Sequence, residues 1–155
     1  MGLTGKLEIE KEIQTQASKF FHLFTKQLHH VPNITDHIHE GELHEGEDWH
    51  NVGSVKKWSY TIDGKVVKCR ERIEVYDEVN NMITFNLFEG DVMEQYKSFK
   101  LTLKVSDKVG GAGGGAIAKW TVDYEKLNEG IPDPGGYLDY VTNVTKDADA
   151  HLLTA

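Results

Sequence analysis

The final stretch of the chain, Pro134 to Leu153, carries its apolar residues at intervals of three and four. Tyr137, Val141, Val144, Ala148 and Leu152 fall on one stripe of a helix, with Asp139, Asn143, Lys146, Asp147 and Asp149 opposite. Pro132 and Pro134 suit a helix entry, where a ring-locked φ and a missing N–H cost little. Most of the preceding chain alternates with period two, so the pattern predicts a sheet curling around one long helix.

The alternation begins at Lys6 to Ile13, with Leu7, Ile9 and Ile13 on one face and Lys6, Glu8, Glu10 and Glu12 on the other. Phe20, Phe21, Phe24 and Leu28 then repeat at helical spacing until Pro32, which predicts one short helix or two broken near His29-His30. In the strand Ser54 to Ile62, Trp58, Tyr60 and Ile62 face one way, and Asp63-Gly64 is a hairpin turn. The strand Val66 to Tyr76 places Val67, Cys69, Glu71, Ile73 and Val75 on one face. After a turn at Asn80-Asn81 come Ile83, Phe85 and Leu87, a loop at Glu89 to Asp91, and the row Phe99, Leu101, Leu103 and Val105. The glycine-rich Val109 to Ala116 reads as a hairpin loop before Trp120, Val122 and Tyr124.

Seven strand-like segments, a helical crossover after the first and a closing helix give an α+β fold in a single domain, residues 1–155. The inward set is rich in rings: Trp58, Tyr60, Phe85, Phe99, Trp120, Tyr124, Tyr137 and Tyr140. Buried tyrosine hydroxyls and indole N–H groups need partners, so such a set suits a pocket with polar handles. The candidate ligand-binding residues are therefore the inward rows: Leu7, Ile9, Phe24, Trp58, Tyr60, Cys69, Glu71, Ile73, Phe85, Leu87, Phe99, Leu101, Trp120, Val122, Tyr124, Tyr137, Tyr140, Val141 and Val144.

Glu71 is the odd member of its row. A carboxylate on an apolar face must be paired, protonated or open to a wet cavity; one reading is a satisfied ion pair with Lys97 or Lys11, the other a polar anchor for a ligand, and no lysine stands clearly on the inward face beside it. Lys56-Lys57, Lys68, Arg70 and Arg72 are read as a coat on the outer sheet face.

With 155 residues, 39% of them apolar, the chain can bury a core without staples. The start of the chain lacks an apolar signal region, and one cysteine, Cys69, cannot form an internal bridge, so a reducing, cytoplasmic home is expected. No apolar run reaches the roughly 18 residues of a membrane span. A net charge of −8 argues against nucleic acid and anionic membranes as partners. His37, His39, His44 and His50, with Glu40, Glu42 and Glu45, offer imidazoles and carboxylates, but their spacing matches no recognised metal motif, so no metal is assigned. The Gly46 to Gly53 loop leads into a strand and carries Glu47 and Asp48, which is wrong for cradling phosphate; no cofactor is expected.

Several blocks carry a resemblance: Gly2-Leu3-Thr4-Gly5-Lys6-Leu7, Gly53-Ser54-Val55-Lys56-Lys57-Trp58, Lys68-Cys69-Arg70-Glu71-Arg72-Ile73, Phe88-Glu89-Gly90-Asp91-Val92-Met93, Tyr96-Lys97-Ser98-Phe99 and Trp120-Thr121-Val122-Asp123-Tyr124-Glu125-Lys126. Over essentially its whole length the chain resembles the plant major latex proteins, a branch of the birch-pollen-allergen-like superfamily that also holds the class 10 pathogenesis-related proteins. The resemblance implies a seven-stranded curved antiparallel sheet, two short helices after strand 1 and a long final helix over a large cavity, the helix-grip arrangement. It also implies non-catalytic binding or transport of hydrophobic small molecules (sterols, fatty acids, hormones or secondary metabolites) linked to plant defence and stress. The alternative is an acid–base enzyme of alkaloid-type metabolism using Glu71, although no nucleophile–base pair accompanies it. A protein partner reading a ligand-closed gate is a third option.

Overall fold

The computed structural model describes residues 3–26, 38–45, 55–62, 64–107 and 115–154. The strands are β1 (Thr4–Ile13), β2 (Ile38–Glu45), β3 (Val55–Ile62), β4 (Lys65–Asp77), β5 (Met82–Gly90), β6 (Tyr96–Asp107) and β7 (Ala116–Lys126), with helices α1 (Ala17–Lys26) and α2 (Gly135–Thr154). They form one antiparallel sheet in the order β1-β7-β6-β5-β4-β3-β2. From β2 to β7 the sheet is a meander; β1 pairs with β7 at the far edge, and α1 begins the crossover between β1 and β2.

The fold is thus α+β, with an antiparallel sheet, a long C-terminal helix and one short helix. Where two short helices were expected, α1 alone is described; a second would fall on residues 27–37, outside the described residues. The histidine-rich expectations at His37 and His50, the Gly46 to Gly53 loop and most of the glycine-rich connection before β7 also lie outside them.

The helical stripe of α2 is buried as its spacing predicts, from Tyr137 through Val141, Val144 and Ala148 to Leu152. It packs on the sheet face carrying Ile73, Ile83, Phe99, Leu103, Val105 and Val122, all at most 1% exposed. Polar ties fix the helix at both ends. Asp149 accepts hydrogen bonds from the backbone N–H groups of Gln14 and Thr15 and from the Thr15 hydroxyl, and Lys19 Nζ donates to the Leu152 carbonyl at 2.9 Å. Mid-helix, Trp120 Nε1 donates to Thr145 Oγ1 at 2.8 Å in the interior. Ahead of the helix, Tyr96 Oη donates to the Pro132 carbonyl at 2.8 Å and Tyr124 Oη to Asp133 at 3.0 Å.

Three local readings are corrected. Val75 does not join the row of Cys69, Glu71 and Ile73: a β-bulge between Ile73 and Val75 resets the alternation, leaving Val75 39% exposed. Glu89 and Gly90 end β5 instead of forming a loop, and Asp91–Glu94 is one 3-10 turn. Gly90, at φ 113°, brings its backbone against Lys68 and Cys69 of β4 where a side chain would not fit. The third concerns Lys56, which belongs to the site.

Candidate functional site

Between α2 and the sheet lies a cavity of about 60 Å³. That is room for roughly four waters at the ~15 Å³ each requires, far below the large cavity the resemblance implies. From β3 and β4 its wall takes Trp58, Tyr60, Cys69 and Glu71; from β5, β6 and β7, Phe85, Leu87, Leu101 and Trp120. Phe24 of α1 and Tyr137, Tyr140, Val141 and Val144 of α2 close it. These thirteen were all among the sequence candidates. Ile38 also lines the space and was missed, because the histidine-rich stretch around it was read for its polar residues alone.

The remaining candidates stand elsewhere on the same face. Ile73 and Val122 are core residues, and Leu7 and Ile9 are half-buried against the core. Phe99 holds Tyr137 from behind, with ring centroids 4.6 Å apart. Tyr124 is spent on Asp133 and stacks edge-on against Tyr96.

Why the space is small is visible in the rings. Tyr60 and Tyr137 share a buried hydroxyl–hydroxyl hydrogen bond of 2.6 Å, and Tyr140 lies 5.1 Å from the Tyr60 ring. This three-tyrosine cluster and the Trp120–Phe24 pair, with centroids 5.6 Å apart, all crowd into the cavity wall. Burial pushes the hydroxyl pKa values of Tyr60, Tyr137 and Tyr140 up, so all three stay neutral donors and acceptors. Burial likewise pushes the Cys69 thiol up, which removes it as a nucleophile.

Glu71 is the charged group of the site, and its partner is neither Lys97 nor Lys11. Lys97 bridges Glu125 on the surface. Directly across the β3–β4 ladder from Glu71 stands Lys56, 0% exposed. The expectation that Lys56 coats the outer face is thus overturned, and with it the reading that no lysine stands beside Glu71. Lys56 shares the row of Trp58 and Tyr60, and period two alone could have placed it inside; the adjacent Lys57, which is exposed, made the pair look like a surface dyad. Burial raises the Glu71 pKa to about 7, against the Lys56 charge and the Trp58 indole, which hold it down. An apolar chamber lined by tyrosine hydroxyls and a carboxyl can hold an apolar body and grip its polar head.

No group of three or more His, Cys, Asp or Glu suited to a metal occurs among the described residues. None of the described helices is long and apolar enough to cross a membrane.

The family model for the pathogenesis-related protein Bet v 1 family matches residues 2–155. MLP-like protein 43 of Arabidopsis thaliana is 47% identical over 152 residues, covering 97% of this chain and 94% of that protein. Major latex protein 146 of Papaver somniferum is 38% identical over 154 residues, covering 99% and 94%. The crystal structure of ginseng major latex-like protein 151 from Panax ginseng superposes with a TM-score of 0.90 at 41% identity, over 98% of this chain and 99% of that one.

Proposed function

The chain belongs to the pathogenesis-related protein Bet v 1 family, and on that footing we propose that it binds or carries hydrophobic small molecules, without turnover, in the chamber beneath α2. Members of the family are generally ligand-binding proteins of the defence-related class. Sterols, fatty acids, hormones and secondary metabolites are the candidate ligands, and a cytoplasmic carrier acting in defence or stress is the role proposed.

One observation carries this reading: tyrosine hydroxyls and a buried carboxyl line one apolar space. Tyr60, Tyr137, Tyr140 and Glu71 all line it with the Cys69 thiol, while the rest of its wall is aromatic or aliphatic. A guest larger than a few waters enters by parting the tyrosine cluster, which costs one neutral hydroxyl pair, about 1 kcal/mol. Burying about 300 Å² of apolar ligand returns ~7 kcal/mol at ~25 cal/mol/Å², from which association takes at least ~4. These terms leave at most ~2 kcal/mol, so apolar burial alone gives weak and broad binding, with a Kd on the order of tens of millimolar, and tighter binding needs the polar contacts as well. Titration with a fluorescent apolar probe, followed by displacement with a sterol and a fatty acid, tests it. Saturable binding displaced by either supports the reading, and no binding of any of the three refutes it.

The buried Lys56–Glu71 pair favours a second reading, an acid–base enzyme, because a carboxyl near pH 7 suits proton transfer. Conversion of a bound ligand by the parent protein, lost in Glu71→Gln with binding retained, is the result that would establish it.

A further inference from the structure

The other side of the β3–β4 ladder carries a second hollow that the chamber beneath α2 does not explain. Lys57 and Ser59 alternate with the chamber residues Trp58 and Tyr60, and Lys68 and Arg70 flank Cys69, so these four belong to the outer face of the sheet. Together with Glu89, Gly90 and Asp91 they surround an open hollow of about 420 Å³, several times the volume of the chamber. Trp58 and Cys69 line both spaces, so one stretch of ladder separates them.

The register makes the outer group compact. Lys57 stands directly opposite Arg70 and Ser59 opposite Lys68, which sets three cations around one hydroxyl. Like charges directly opposite each other destabilise an antiparallel pair, and a chain of net charge −8 has carboxylates in excess with which to answer them. Two carboxylates reach the hollow, and both are engaged. Arg70 Nη1 donates to Glu89 Oε2 at 3.0 Å, and Asp91 Oδ2 accepts the Lys68 backbone N–H at 2.9 Å. Among the described residues neither the Lys57 nor the Lys68 ammonium has an ion-pair partner. Ser59 is only 8% exposed, yet its hydroxyl makes no hydrogen bond among them either. A polar side chain buried to that extent ordinarily has a partner; this one lines the hollow instead.

We propose that the hollow is a second ligand site, for a small hydroxylated molecule bearing a phosphate monoester, with the phosphate on Lys57, Ser59 and Lys68 and the hydroxyl groups toward Glu89 and Asp91. Charge is graded across the strands in that sense: β3 and β4 present the cations and the serine, while the carboxylates come from the end of β5 and the turn after it. A phosphate dianion answers two ammonium groups at once and still has an oxygen to accept from the serine, whereas a carboxylate carries a single charge. Glu89 and Asp91 repel a second anion and accept hydrogen bonds, so the remainder of the guest is neutral and donates. They also set the hollow against nucleic acid, whose phosphates come in rows. Its volume lies within the roughly 300 to 1,000 Å³ of small-molecule sites, which leaves room for a body behind the phosphate.

Glucose 6-phosphate, glucose and inorganic phosphate are the probes, titrated into the full chain at about pH 7.5 and low ionic strength, where a phosphate monoester is mostly a dianion. Calorimetry and phosphorus NMR line broadening read the binding. Glucose 6-phosphate should bind about threefold to tenfold more tightly than inorganic phosphate and at least about tenfold more tightly than glucose. Lys57→Gln and Lys68→Gln, both at exposed positions, should each weaken it about threefold to tenfold, and Ser59→Ala about threefold. Lys100→Gln, on the same outer face but paired with Glu74, should leave it unchanged. No binding of glucose 6-phosphate, or equal affinity for glucose or for inorganic phosphate, overturns the proposal. So does an affinity indifferent to both lysine substitutions, or one lowered as much by Lys100→Gln, which would mark diffuse attraction to surface charge. A fluorescent apolar probe should bind the doubly substituted Lys57→Gln, Lys68→Gln protein as it binds the parent, so the failure of either site is told apart from that of the other.

Discussion

Truncating the two members of the buried pair should give opposite results, although each substitution removes one charge. Holding the Glu71 carboxyl at about 7 instead of 4.5 costs the fold about 3 kcal/mol at neutral pH, at ~1.36 kcal/mol per unit. The sign is that of a raised pKa: the cost is absent below pH 4.5, where both states are protonated, and stability from this group is lost as pH climbs through 7. In Lys56→Met the carboxyl loses the charge that held it down, rises further and is neutral at pH 7. Because most of that cost is already borne by the parent, the variant should lie within about 1 kcal/mol of it at pH 6 to 7, then fall behind by up to ~1.4 kcal/mol per unit above pH 7. Glu71→Gln instead takes a carboxylate away from a fully buried lysine, whose neutralisation at pH 7 would cost about 4 to 5 kcal/mol from an ordinary pKa of about 10.4; a loss of about 3 to 5 kcal/mol is expected. Urea denaturation of parent and variants at pH 6, 7 and 8 measures these differences. Equal losses in the two variants, or a Glu71→Gln protein as stable as the parent, would refute the reasoning.

Three further expectations follow from the packing. Tyr60→Phe removes the partner of the buried Tyr137 hydroxyl and should cost about 1 to 3 kcal/mol, Tyr137→Phe should cost less because the Tyr60 hydroxyl keeps the Cys69 thiol, and the double variant should cost less than the sum of the two; equilibrium unfolding in a double-mutant cycle reads the difference. Thr145→Val removes the acceptor of the buried Trp120 N–H and should cost about 1 to 3 kcal/mol, seen as a thermal midpoint lower by several degrees. Gly90→Ala drives a Cβ into the Lys68 carbonyl and to 2.7 Å from the Cys69 Cα at a positive φ, and should destabilise by more than 2 kcal/mol in urea, while Gly64→Ala, with open space around it, should cost less.

Much of this arrangement is legible in the order of the residues, and the misses have physical causes. The α2 stripe was readable because Tyr137, Val141, Val144, Ala148 and Leu152 all obey one period and all are buried. The rows Phe99 to Val105 and Trp120 to Tyr124 were readable for the same reason with period two. Val75 was misplaced because a bulge is a change of register that no single residue announces. Lys56 was misplaced because residue type was allowed to outweigh position, when a buried lysine obeys the pleat like any neighbour. The size of the chamber depends on how closely the Tyr60, Tyr137 and Tyr140 rings meet, which is a matter of rotamers and helix height that alternation does not encode.

The claim that the space beneath α2 receives the ligand is tested most directly by methyl NMR of the protein titrated with a fatty acid. The account predicts saturable shifts in the methyl groups of Leu87, Leu101, Val141 and Val144, which line the chamber, with the exposed Val66, Val79 and Leu153 left in place. Shifts confined to those exposed residues, with the chamber methyl groups unmoved, would contradict it.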